Sequence, residues 1–292
     1  MTRNPDGERF EAGKRPPPSL AVGIKSIVEW LLGSMGYMLV RKGKYQLIPM
    51  KETSPGGVER PKIVTCKLDS VEAQFIVRDE RDVIQRVHGS GQFYESEEIR
   101  LMHGHFKGGV FVDVGSNVGN HAVYFAKLPS CTEVLAFEPS LKTRQTLRLN
   151  LALNNLDAKV RALPFALGDH EHETTLYKPI INNGGATLIC DRYSSTIDFP
   201  VDEEIVTVKV GDSLIDVSNI SLIKIDTEGT ELGVIKGLQR TISDQQPAIF
   251  VECVDETAKE VADMLLRVGY RNVATTTPHA GMANYLYMPA RR

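Results

Sequence analysis

One stretch constrains the fold of this chain more than any other: Val110-Phe-Val-Asp-Val-Gly-Ser-Asn-Val-Gly-Asn-His-Ala122. An apolar run ends on an acid, Asp113; glycines follow at Gly115 and Gly119, and then a helical pattern begins. This is how a buried parallel strand turns tightly into a helix. Gly115 permits a turn that a side chain would block, and Gly119 permits close approach of a ligand or a helix. A second apolar strand, Val134-Leu-Ala-Phe-Glu138, ends on an acid 23 residues beyond Gly115. An acid at that distance can accept hydrogen bonds from both ribose hydroxyls. Loop and acid together predict a nucleoside-containing cofactor at the carboxyl edge of a parallel sheet.

The loop also discriminates between cofactors. A dinucleotide loop reads G-x-G-x-x-G, because a pyrophosphate rests on backbone amides at the helix start. Here the spacing is D-x-G-x-x-x-G, with Asn117 where the second glycine would stand. A carboxylate at Asp113 repels a pyrophosphate and suits an ammonium. S-adenosylmethionine carries an ammonium, a sulfonium and a ribose but no phosphate, so the loop favours it over NAD. The cofactor-binding candidates are Asp113, Gly115, Asn117, Gly119 and Glu138. The bland alternative is a doubly wound fold that uses the glycines for packing only.

Strand and helix patterns alternate from residue 94 onward. A helix over Tyr94–Lys107 precedes strand Val110–Val114, helix Gly119–Leu128, strand Glu133–Phe137, helix Leu141–Asn154 and strand Lys159–Pro164. The rhythm breaks over 170–210, which reads as a β-rich insertion of the kind that carries substrate contacts. It resumes with strand Leu222–Ile225, helix Glu231–Thr241, strand Ala248–Val251, helix Glu256–Val268 and two last strands near Arg271–Thr275 and Asn284–Met288. Such alternation predicts a Rossmann-like α/β domain whose sheet is mainly parallel, with an antiparallel hairpin at one edge.

The first 93 residues read differently. Residues 1–19 are polar and proline-rich, and are expected to be disordered. Leu20–Val40 reads as a helix covering the core, too polar to span a membrane. A membrane-surface helix over 20–44, with Trp30 and Tyr37 at the interface and Arg41, Lys42 and Lys44 toward lipid phosphates, is the less favoured alternative. Residues 45–60 read as a loop, and Ile63–Leu68 with Ala73–Val77 as a hairpin turning at Asp69-Ser70. The domain expectation is therefore a tail (1–19), a helix-and-hairpin extension (20–93) and the cofactor-binding domain (94–292).

With a formal net charge of −3 the chain has no basic excess to neutralise phosphates, which argues against a nucleic-acid partner. Its four cysteines are scattered singly, without zinc or disulfide spacing, and a reducing cytoplasm is the simplest reading.

These motifs resemble the FkbM family of S-adenosylmethionine-dependent methyltransferases. The resemblance covers roughly Tyr94 to Met288. It rests on Phe111–Asn120, Ala136-Phe-Glu-Pro139, Asn150-Leu-Ala-Leu-Asn154, Ala166-Leu-Gly-Asp169 and Ile223-Lys-Ile-Asp-Thr-Glu-Gly-Thr-Glu231 with Lys236-Gly237. It implies a seven-stranded methyltransferase sheet, transfer to a hydroxyl of a polyketide, sugar or glycan, and a place for Asp169 near the adenine edge. The family's Thr-Leu-Asp before its fourth core strand is Val210-Gly-Asp212 here, with Asp212 as the matching acid.

A hydroxyl acceptor needs a base. Asp226 ends one core strand, Glu228 follows it by two residues and Glu252 ends the next strand, so these three carboxylates are the catalytic candidates. Crowding raises the pKa of such groups and suits one of them to act as a base. The same cluster is also able to hold a divalent metal, though no ligand spacing demands one. His121, in the first turn after the glycine loop, is a candidate substrate contact, with plain packing as the alternative. Tyr94, Glu95 and Glu98 are read as a solvated helix start, with capping of the cofactor's methionine end as the other option. An NAD-dependent oxidoreductase or epimerase and a non-catalytic cofactor-binding module remain as competing functions; the first lacks its third glycine, and the second would be expected to have lost Asp226 or the loop glycines.

Overall fold

The computed structural model describes residues 61–179, 201–279 and 282–290, together with the strand segments 37–42, 44–49 and 188–189. The chain divides into two units, Met1–Val58 and Glu59–Arg292. In the first, strands β1 (Tyr37–Lys42) and β2 (Lys44–Pro49) pair antiparallel with Lys42 opposite Lys44. The expected helix therefore does not extend over 37–40, and 45–49 is strand rather than loop. Short apolar runs, Tyr37–Val40 and Leu47–Ile48, on either side of the polar Arg41–Lys44 stretch suit a pair of short strands. The rest of the predicted tail and helix lies outside the described residues.

The second unit opens with the hairpin β3 (Lys62–Leu68) and β4 (Val71–Val77), turning at Asp69, whose φ is +52°. Helices α1 (Val83–Gly89) and α2 (Ser96–His105) follow. Then come β5 (Gly109–Val114), α3 (Asn120–Lys127), β6 (Cys131–Phe137), α4 (Leu141–Leu153), β7 (Val160–Leu163) and β8 (Ala166–Gly168). Strands β9 (His172–Pro179), β10 (Leu188–Ile189) and β11 (Val201–Val210) lead to the single turn α5 (Gly211–Leu214). The chain closes with β12 (Ile220–Ile225), α6 (Glu231–Gly237), α7 (Gln239–Gln245), β13 (Ala248–Val254), α8 (Asp255–Arg267), β14 (Tyr270–His279) and β15 (Met282–Pro289).

Seven strands form the central sheet in the order β14-β15-β13-β12-β5-β6-β7. The five from β13 to β7 run parallel; β15 pairs antiparallel with both β13 and β14, so it alone runs against the other six. A second sheet, β10-β9-β11-β8, holds the three strands that fall within 170–210. Strand period divides the core into two layers. Phe111, Val134, Leu222 and Phe250 face the hairpin, α2, α3 and α4, whereas Val112, Leu135, Ile223 and Val251 face α6 and α8.

Two motifs prove to be architectural. Asn150 and Asn154 on α4 extend the ladder of the edge strand β4: Asn150 Oδ1 accepts from Ile76 N at 2.8 Å, and Asn154 both accepts from and donates to the backbone of Gln74. Asp212 caps α7, accepting from the amides of Arg240 (2.7 Å) and Thr241 (2.9 Å). This cap explains why the expected single helix over Glu231–Thr241 is two. Gly237 lies so close to β8 that a Cβ there would come within 2.0 Å of the Gly168 carbonyl, and the chain restarts its helix on a side chain from another element.

Candidate active site

Strand β5 lies between β6 and β12, and the chain leaves it in opposite directions: first to β6 and β7, later to β12 and β13. In an open α/β sheet, ligands bind outside the carboxyl ends of the strands where the order reverses. A cavity of about 230 Å³ lies there. Val114–Asn117, after β5, and Asp226–Glu228, after β12, line facing sides of it. A Cβ on Gly115 (φ +79°) would fall 1.9 Å from the Asp226 carbonyl, so the close approach of these two loops requires glycine.

One end of the cavity is mostly apolar, with Phe137, Pro139, Phe165, Leu167 and Leu176. Glu138 lies beside them, 5% exposed, and is held by backbone: Asn117 N donates to Oε2 and Ser140 N to Oε1, each at 2.9 Å. Burial pushes its carboxyl up to about 7, against the pull of these amides. Asn117 takes the left-handed backbone (φ +49°) that turns its amide toward Glu138. The amide that a dinucleotide loop offers to phosphate is thus committed to a carboxylate.

The other end is crowded with charge. Asp226, Glu228 and Glu252 bring carboxylate oxygens within 4.8 Å of one another, a spacing that one divalent cation would fit. Glu252 lies inside β13 rather than at its end, paired with Asn284. Because β12 stops opposite Val251, Glu252 still stands level with Asp226. Glu95 joins them. It is the left-handed residue (φ +51°) before α2, and its side chain is only 15% exposed, so this helix start is not the solvated end expected. Its Oε2 lies 3.5 Å from Nε2 of His121, which is buried in the first turn of α3.

Lys224, which sequence reasoning passed over, sits among these acids. Its Nζ lies 3.0 Å from Asp226 Oδ2, 3.2 Å from the Gly115 carbonyl and 3.6 Å from Asp113 Oδ1. The signal was legible: a lysine inside the apolar strand Ile220-Ser-Leu-Ile-Lys-Ile225 is a buried charge that needs partners. Register completes the account. Lys224 pairs with Asp113 across β12 and β5, and period two puts both on the face that carries Phe111 and Leu222.

Electrostatics separates the acids. Burial opposes charge on Asp226, but the Lys224 ammonium and a hydrogen bond with Glu252 outweigh it and hold Asp226 below the usual carboxylate range. Burial and then the Asp226 charge push Glu95 and Glu228 up to about 8 and Glu252 up to about 11. Burial also raises Asp113, despite the opposing pull of Lys224. Burial, reinforced by Lys224, drives His121 well below its usual value, so its imidazole is neutral.

Gly115, Asn117, Glu138, His121, Asp226, Glu228 and Glu252 all line the cavity. Three other candidates stand apart from its wall. Asp113 is fully buried behind the loop, facing Lys224. Gly119 (φ +90°) packs against α4, where a Cβ would meet Leu147 Cδ1 at 2.5 Å. Asp169 has a side chain 45% exposed and paired with His170 Nδ1 at 2.7 Å. Cys66, Cys131 and Cys253 are buried free thiols. Among the described residues no helix is long and apolar enough to cross a membrane.

A mainly parallel sheet with a glycine loop, an acid after the neighbouring strand and a cavity at the switch point defines a Rossmann-like α/β domain. The model of the methyltransferase FkbM domain matches residues 113–272, from the acid that opens the glycine loop into β14. The chain belongs to the FkbM family of methyltransferases. It is 26% identical over 153 residues to Methyltransferase sdnD of Sordaria araneosa, covering 44% of this chain and 59% of that protein. It is also 26% identical over 160 residues to Methyltransferase 1 of Beauveria bassiana, covering 49% and 64%. The chain thus spans about three fifths of the length of these curated relatives. Among solved structures, the methyltransferase FkbM of Methylobacillus flagellatus KT superposes with a TM-score of 0.45 at 18% identity, covering 72% of this chain and 55% of that one. The tRNA (uracil-54, C5)-methyltransferase of Pyrococcus abyssi, solved with S-adenosyl-L-homocysteine, gives 0.44 at 14% identity, covering 77% and 43%.

Proposed function

We propose that this protein is an S-adenosylmethionine-dependent methyltransferase acting on a hydroxyl of a small molecule: a sugar, a glycan or a polyketide-like compound. The observation that carries the cofactor reading is the Asn117 amide turned onto Glu138. A loop whose amide is committed to a carboxylate presents negative charge where NAD would need to place a pyrophosphate. The same carboxylate keeps lone pairs free for ribose hydroxyls, because each oxygen accepts one backbone bond in the described structure. The apolar end with Phe137, Phe165 and Leu176 suits an adenine ring.

S-adenosylmethionine, when bound, supplies a methyl group already activated on a sulfonium. The protein's part is alignment and proton removal. In this reading the acceptor hydroxyl sits among Glu95, Asp226, Glu228 and Glu252. A carboxyl raised to about 8 is closer to a working base than an ordinary glutamate, since it holds a proton more tightly yet releases it near neutral pH. Asp226, kept ionised, repels negative charge on its neighbours and so sets their affinity for that proton. A metal is not required in this reading, because Lys224 already supplies positive charge beside Asp226.

Calorimetry with S-adenosylhomocysteine and with NAD tests the cofactor choice. The first is expected to bind and the second to give no heat; NAD binding without S-adenosylhomocysteine binding would replace this proposal with an oxidoreductase or epimerase. Binding of S-adenosylhomocysteine with no methyl transfer to any member of a broad panel of hydroxylated sugars and polyketides would favour a binding module.

A further inference from the structure

Lys224 is 3% exposed and lies on the central strand β12, among isoleucines and a leucine that carry no charge. A buried lysine of this kind tends to lose its proton unless acids face it. Here acids from several elements face it. Asp113 comes from β5, Asp226 from just past the end of β12, Glu228 from the loop after it and Glu95 from the start of α2, and Glu252 on β13 joins them through its hydrogen bond with Asp226. His121 on α3 faces the same group as a neutral ring. The ammonium has three near partners of two kinds. The Gly115 carbonyl at 3.2 Å belongs to the glycine loop and Asp113 at 3.6 Å to the strand that leads into it, whereas Asp226 at 3.0 Å belongs to the acid cluster.

We propose that Lys224 is a positioning residue that joins the two halves of the site: its ammonium pins the glycine loop to the end of β12 and sets a positive charge beside Asp226. The inference rests on the methyltransferase reading only where it treats the carboxyls around Asp226 as the place of proton transfer in a reaction. It also gives Asp113 a different task from the one its motif suggests. Asp113 is the counter-ion of Lys224, and its effect on a ligand is exerted through that ammonium. A purely structural lysine would be replaceable by any side chain that fills the space. A positioning lysine is replaceable only by a cation, because the property it supplies is charge beside Asp226.

The experiment is a carbon-13 NMR titration of Asp and Glu side-chain carboxyls in the full chain without cofactor, with Asp226 assigned through Asp226→Asn. In the wild type the Asp226 carboxyl is expected to remain ionised down to below its ordinary range. Lys224→Met should raise its midpoint by more than about one pH unit, the usual scale for removing an adjacent opposite charge. Lys224→Arg should restore most of that shift. An Asp226 midpoint unchanged in folded Lys224→Met, or raised as far by Lys224→Arg as by Lys224→Met, overturns the proposal. Should Lys224→Met fail to fold, nitrogen-15 spectra of the lysine ammonium groups in the wild type decide instead: the Lys224 resonance must shift with the midpoint of Asp226, and its indifference overturns the proposal. Because the titration uses no cofactor, its result stands apart from calorimetry with S-adenosylhomocysteine, whose failure would remove the methyltransferase reading and leave the role of Lys224 to be judged on its own.

Discussion

The two ends of the cavity are built on different physical terms. At the proposed nucleoside end one carboxylate, Glu138, is oriented by two backbone amides from residues within 21 positions of it. Backbone donors that are fixed by a loop need little reorganisation when a ligand arrives. At the proposed reacting end, Glu95, His121, Lys224, Asp226, Glu228 and Glu252 come from four separate segments. They are held by a balance of charges in which one ammonium faces several acids. The first end should respond to substitution as a set of hydrogen bonds, and the second as a coupled electrostatic unit. Each prediction that follows separates the two behaviours.

The largest effect is expected at the charged end. Asp226→Asn keeps the shape and the hydrogen-bonding capacity of the side chain and removes its charge. Turnover with a true acceptor should fall roughly 10²- to 10⁴-fold, the range for losing a positioned acid or base. Affinity for S-adenosylhomocysteine should change little. Glu138→Ala should do the reverse, weakening S-adenosylhomocysteine by about 1.5–3 kcal/mol, as for hydrogen bonds to a charged acceptor. Equal losses of affinity in the two folded variants, read by calorimetry, would erase the distinction between the ends.

The same contrast explains what the sequence made legible. The nucleoside end is local: strand, glycine loop, strand and acid fall within residues 110–138, and their spacing alone identifies Gly115, Asn117 and Glu138 as neighbours. The alternation of strands and helices likewise led to a mainly parallel sheet, because buried parallel strands write continuous apolar runs, whereas its seven strands were implied by the family resemblance. The charged end is non-local. Asp226 and Glu252 were readable because both stand just past the apolar core of adjacent strands, but Glu95 belongs to a helix start whose direction only tertiary packing decides. Lys224 was legible as a lone charge in an apolar run, but its partner Asp113 was not, because strand register rather than spacing defines it. The break in α6–α7 was hidden too, since its cap, Asp212, comes from more than twenty residues away.

A third prediction concerns pH. The folded chain holds Glu138 near 7, Glu95 and Glu228 near 8 and Glu252 near 11. These values exceed those of unfolded glutamates, so the folded state binds protons more tightly over that interval. The stability these groups contribute is therefore fully present below about pH 4 and is lost as pH rises through 7 and 8. Glu228→Gln is neutral throughout and does not titrate. In thermal melts of the unliganded protein, the Tm of Glu228→Gln relative to wild type should rise between pH 6 and pH 9. A constant difference over that range would mean that Glu228 is not crowded by the acids around it.

The smallest effect is expected at Asp169. The resemblance places this acid near the adenine edge, and an exocyclic amino group recognised by a buried carboxylate would lose a charge-assisted hydrogen bond on substitution. The structure instead turns the Asp169 side chain to solvent, where His170 Nδ1 lies at 2.7 Å and holds the carboxyl below its usual value. The cavity wall nearest in sequence is made by Phe165, Ala166 and Leu167, which can pack on an adenine ring without reading its edge. Asp169→Ala should therefore change stability and S-adenosylhomocysteine affinity by no more than about 0.5 kcal/mol, the scale of an exposed polar substitution. The sharper measurement uses cofactor analogues altered at the adenine amino group. If the wild type discriminates against them and Asp169→Ala does not, Asp169 swings into the nucleoside end when ligand is bound, and that end is less preorganised than its backbone hydrogen bonds imply. An unchanged ratio of affinities leaves adenine to the apolar wall and confines recognition by charge to Glu138 and the opposite end of the cavity.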